Sequence, residues 1–149
     1  MIKEMLLVAH ILLLGDVTVN RETAYIMQDI RAVTQEPIVI TSAVRTPRRQ
    51  AELMVYSYRS GNNLIYLYGN KVRKYLSLIR QGDIDALEIE FTHDNSISAH
   101  LTGRAVDVRS RSLSKKAKEA LFSLEDGGRY DVIEEYNPPH IHIELNAGS

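Results

Sequence analysis

The chain has 149 residues, 44% hydrophobic and 25% charged, the size and composition of one folded domain that needs no covalent staples. It has no cysteine, which excludes disulfides, thiolate metal sites and a cysteine nucleophile. With 18 basic and 19 acidic residues and a net charge of −1, it carries no global signal for nucleic acid or an anionic membrane.

The apolar run at residues 5–15, "MLLVAHILLLG", is too short for a membrane span, which takes ~20 residues. Glu4, the interrupting His10 and the lack of a small-x-small cleavage site argue against a secretion signal. It reads as a buried first element with His10 satisfied inside it, a cleaved signal being the lesser alternative. Asn20 caps a helix through "RETAYIMQDIRAV", in which Thr23, Met27, Ile30 and Val33 recur at helical spacing. Pro37 ends it, and "PIVITSAV" is a strand rich in branched residues. Thr46 and Pro47 are an N-cap and first helical position for "PRRQAELMVYSY". Ile65, Tyr68, Val72, Tyr75, Leu76 and Ile79 then predict one long helix closed by Gly82. "ALEIEF" alternates and predicts a strand, followed by His93 in a polar loop and by a short strand, "RAVDV". Ser114 caps "KKAKEALFSL", which stops at Asp126-Gly127-Gly128, and "RYDVIEE" and "HIHIEL" pair around "YNPP".

This order predicts an α+β fold: a small, mostly antiparallel sheet with helices packed on one face and the other face open for a site. The chain reads as a single domain, 1–149, with an N-terminal segment and helix over 1–36 and the core motifs over 37–146. No repeat or linker interrupts it.

In a strand, side chains alternate between faces, so His140, His142 and Glu144 share one face while Ile141, Ile143 and Leu145 share the other. The apolar set belongs in a core, and two imidazoles side by side on the polar face suit a metal. Catalytic zinc takes three nitrogen or carboxylate ligands and keeps a position open. His100, Asp107 and one of the strand histidines supply such a set. Gly103 lets the chain turn between the first two, and Ala105 lets it pass close to neighbours. The bland alternatives are a surface histidine with an ordinary aspartate, an exposed strand edge, and Glu135 and Glu144 as solvated strand residues.

Ser98, His100, Gly103, Ala105 and Asp107 satisfy the pattern S-x-H-x-x-G-x-A-x-D in full. With "ITSAVRTPRRQAEL" upstream and "HIHIE" downstream, the sequence resembles the zinc D-alanyl-D-alanine carboxypeptidase and endopeptidase family of bacterial cell-wall enzymes (peptidase family M15). The three motifs come in family order and span residues 38–145. The resemblance implies a hedgehog/DD-peptidase-like fold and one Zn2+ per chain, held by His100, Asp107 and His142. It implies that Arg45 holds the scissile carbonyl or a substrate carboxylate, and that Ser98 supports the ligand loop or contacts substrate. Many members carry a glutamate three residues before the last histidine ligand, and here that position is Pro139. The base then falls to His140, as in relatives with an H-x-H pair, or to Glu135 brought back by the "YNPP" loop. The stretch between Arg45 and His100 is longer than in small members, leaving residues 62–95 as a lid, a substrate wall or extra core.

The activity so implied is hydrolysis of peptidoglycan stem peptides, as a D-Ala-D-Ala carboxypeptidase or an L-Ala-D-Glu type endopeptidase. Small size and the want of a wall-binding module resemble phage-type lysins. Such an enzyme is a monomer made in the cytoplasm and acting on the wall after release, with no nucleic-acid partner and no membrane insertion. The rival is a catalytically degenerate zinc-binding recognition module on the same scaffold, for which Pro139 is the argument.

Overall fold

The computed structural model describes residues 2–4, 11–136 and 138–146. His10 and the first half of the apolar run lie outside the described residues. The fold is α+β, and the chain divides into two compact units, Met1–Val44 with Gly103–Ser149, and Arg45–Thr102.

The first unit is built on a six-stranded sheet in the order β1-β2-β3-β4-β6-β5. Its strands are β1 (Ile2–Glu4), β2 (Ile11–Leu14), β3 (Ile38–Ser42), β4 (Ala105–Arg109), β5 (Tyr130–Tyr136) and β6 (Pro139–Leu145). The sheet is mixed rather than antiparallel, because β2 and β3 run parallel while the other neighbours are antiparallel. The cause is the intervening helix α1 (Arg21–Val33). A helical crossover returns the chain to the end where it started, so the next strand runs the same way.

α1 begins where the sequence predicts. The Asn20 side chain accepts from the Thr23 backbone while the Thr23 hydroxyl accepts from the Asn20 backbone, a reciprocal cap of ~1 kcal/mol. Ile26, Met27 and Ile30 of α1 and Leu121 of α6 (Lys115–Phe122) pack with Ile38, Ile40, Val106, Val108, Val132, Ile141 and Ile143. Each such fully buried aliphatic side chain stabilises the unit by ~1.5–3 kcal/mol. Alternation then turns Asp107, His140, His142 and Glu144 to the opposite face of β4 and β6.

The second unit is helical. It holds α2 (Pro47–Arg59), α3 (Leu64–Tyr68), a 3-10 stretch Asn70–Tyr75, α4 (Leu76–Gln81) and α5 (Ile84–His93). Thr46 caps α2, with Pro47 at its start. Met54, Val72, Ile79, Leu87 and Phe91 are fully or almost fully buried together, and Tyr75 meets Phe91 edge to face at 5.2 Å.

Three expectations are corrected in this unit. The single long helix over residues 62–81 is broken at Gly69, whose φ of +81° leaves the right-handed helix. The apolar spacing is real, since Val72, Tyr75 and Ile79 are buried, but it is shared by two helices and a 3-10 turn. "ALEIEF" is helix, not strand, and His93 is the last residue of that helix rather than part of a loop. The Asp83 side chain caps α5 through the Ala86 amide, and Leu87 and Phe91, four apart, face the core. Ile89, which made the pattern look alternating, is 62% exposed.

Candidate metal centre

β4 brings Asp107 and β6 brings His140, His142 and Glu144 to one face of the sheet, and Asp107 stands directly opposite His142 in the ladder. The Thr41 hydroxyl of β3 donates to the Asp107 carbonyl at 3.3 Å, fixing that strand from its other side. His142 lies between two carboxylates. Its Nδ1 is 2.9 Å from Asp107 Oδ1 and its Nε2 is 2.9 Å from Glu144 Oε1. An ionised carboxylate only accepts hydrogen bonds, so contacts of this kind at both ring nitrogens favour the charged imidazolium form. Burial opposes that charge, but the Asp107 and Glu144 carboxylates outweigh it and hold the His142 pKa up at about 10.

His140 has a partner of its own. Glu135 stands opposite it across the β5–β6 hairpin, and Glu135 Oε1 accepts from His140 Nε2 at 2.6 Å. The other ring nitrogen, Nδ1, donates to the Pro138 carbonyl at 2.7 Å. Asp107 Oδ1 is 3.8 Å from His140 Nε2. Burial lowers the His140 pKa, yet the Glu135 hydrogen bond and the Asp107 charge prevail and raise it above the ordinary value. The two candidates for the base are therefore one hydrogen-bonded pair.

His100 lies in the 3-10 turn Ala99–Thr102 and is 1% exposed. Its backbone N–H donates to the Ser98 hydroxyl at 3.3 Å, and its carbonyl accepts from the Arg45 amide at 2.9 Å. Asp107 and His142 offer metal-ligand atoms 2.9 Å apart on the sheet of the first unit, and His100 offers a third such donor in the second. Two imidazoles and a carboxylate suit zinc and other borderline divalent ions alike.

No family model, curated protein or solved structure matches this chain.

The remaining expected residues fall as follows. Ser98 is 7% exposed, and its hydroxyl accepts from the His100 backbone N–H at 3.3 Å. Arg45 precedes α2, and its Nη1 donates to Gln50 Oε1 at 3.1 Å. Gln50 is fully buried and also donates from Nε2 to the Tyr68 hydroxyl at 3.1 Å. Sequence reasoning did not single out Gln50 as the partner of Arg45 or Glu144 as the partner of His142. The signal for Gln50 was a polar residue on the inward face of α2, one position from the buried Ala51. The signal for Glu144 was its place two residues from His142 on the same face of the strand.

Proposed function

We propose that this chain is a zinc metallopeptidase of the D-alanyl-D-alanine carboxypeptidase and endopeptidase type, acting on the stem peptides of peptidoglycan. The observation that supports this most is Asp107, bonded to His142 at 2.9 Å, standing beside the bonded Glu135–His140 pair, and the motif adds His100 to the donors. The substrate class and the hedgehog/DD-peptidase-like fold rest on the order of the three sequence motifs.

In this reading His100, Asp107 and His142 would hold the ion, as the motif order implies. Bound zinc supplies Lewis acidity that polarises a peptide carbonyl and acidifies water. The Glu135–His140 pair does the proton work. Glu135 is the carboxylate that can take a proton, and His140 Nε2, bonded to it at 2.6 Å, is the group that can pass one to a departing amine. The Pro138 carbonyl fixes the His140 ring so that Nε2 faces Glu135. Arg45, anchored by Gln50, presents a planar fork suited to a carbonyl or terminal carboxylate of the substrate.

Elemental analysis of the purified protein beside Asp107→Ala tests the metal, with about one zinc per chain expected only in the parent. Mass spectrometry of cell-wall fragments then tests the chemistry. His140→Ala is expected to keep its zinc and to lose cleavage by ~10²–10⁴-fold. A protein that takes up no zinc defeats this reading. One that holds zinc and leaves every fragment intact is a recognition module.

A further inference from the structure

Glu144 takes no part in the peptidase reading above, and as an isolated residue it looks like an ordinary solvated glutamate of a terminal strand. Its side chain is 39% exposed, yet it is aimed along β6 at His142, with Oε1 2.9 Å from the ring Nε2. The opposite nitrogen, Nδ1, is the one turned to Asp107 Oδ1. The ring therefore has a defined polarity, with one nitrogen directed at another group of the donor cluster and the other at Glu144. Asp107 is itself one of the proposed ligands, so the nitrogen beside it is the one placed to share an ion with it.

We infer that Glu144 is a positioning residue for the metal centre, holding the Nε2–H of His142 so that Nδ1 is the ligand atom. This inference rests on the metal-site reading of His100, Asp107 and His142. The physics is that of a carboxylate behind a histidine ligand. The hydrogen bond fixes the tautomer, stops the ring from turning about its Cβ–Cγ bond, and increases electron density at the ligating nitrogen. Two residues on the same face of one strand do this without any loop, because the period-two repeat keeps their side chains adjacent.

The test uses the full chain loaded with zinc and two readouts that are independent of catalysis. The first is nitrogen-15 NMR of the histidine rings, in which His142 is expected to show a metal-bound Nδ1 and a protonated Nε2 shielded from solvent exchange. The second is the rate at which zinc passes to excess chelator. Glu144→Ala is expected to release zinc ~10–100-fold faster than the parent and to expose the Nε2 proton. Glu144→Gln, whose amide oxygen still accepts the hydrogen bond, is expected to restore slow release and proton protection. Release from Glu144→Ala at the parent rate overturns the inference, and so does Glu144→Gln releasing as fast as Glu144→Ala. A His142 ring bound through Nε2 overturns it as well. In those cases zinc uptake by the parent leaves the metal site standing, whereas a parent that binds no zinc removes the site and the role of Glu144 together.

Discussion

Replacing Asp107 with Asn in the metal-free protein removes a charge and almost no volume, so its effect on His142 is electrostatic. The His142 ring is held at about 10 against an ordinary 6.5. At ~1.4 kcal/mol for each tenfold change in proton affinity, that rise is worth at most ~5 kcal/mol. Because the folded value is raised, the contribution is complete below pH 6.5 and is lost as pH climbs through about 10. Among the groups that raise it, the Asp107 hydrogen bond comes first and Glu144 second. Asp107→Asn should therefore lower the His142 titration by ~1–3 pH units, the usual effect of one carboxylate at this distance. The assay is the His142 Cε1 proton shift followed by NMR from pH 5 to 11 in chelator-treated protein. Urea unfolding at either end of that window accompanies it, and the parent should lose more stability between the two than the variant does. A parent His142 titrating near 6.5 would refute the two-carboxylate arrangement.

Metal uptake should displace a proton, because His142 is charged below about pH 10 and a ligand nitrogen must be bare. An indicator dye in weakly buffered solution at pH 8 should report at least one proton per zinc bound, and no release would contradict it. Gly103→Ala should cost ~2–4 kcal/mol in urea unfolding: φ there is +78°, and a Cβ would sit 2.2–2.5 Å from the Asn20 amide that caps α1. Phe91→Ala empties the centre of the helical unit, where the ring is 1% exposed and touches Tyr75. A loss of ~3–5 kcal/mol is expected, read from the shift of the thermal midpoint.

Much of the architecture was legible because local chemistry and tertiary environment agree. Asn20, Thr46 and Ser114 each cap the helix that follows, since a side-chain oxygen satisfies an amide three residues on wherever the helix packs. β3, β4, β5 and β6 read as strands, and in β3, β5 and β6 buried residues alternate with more exposed ones, whereas β1 and β2 were not recognisable as strands. The helical unit was less legible. In residues 86–91 an alternating pattern and an i, i+4 pair coexist, and only packing decides that Leu87 and Phe91 point inward while Ile89 does not. In residues 62–81 the apolar spacing survives a break in the backbone, because helices and 3-10 turns have similar periods and Gly69 alone marks the interruption.

The candidate centre divides the same way. Residue type and strand alternation marked His100, Asp107 and one of the strand histidines as candidate donors, and the resemblance of the three motifs assigned His142 as the ligand and His140 as a candidate base. Alternation also put His140, His142 and Glu144 on one face, a consequence of the two-residue period of any strand. Only the tertiary structure decided the register that sets Asp107 opposite His142 and Glu135 opposite His140. Register depends on which residues the neighbouring strand can bury, and a one-residue slip would turn every one of these side chains to the other face. The partners within the cluster followed from that register. His142 lies between Asp107 and Glu144, and His140 is bonded to Glu135.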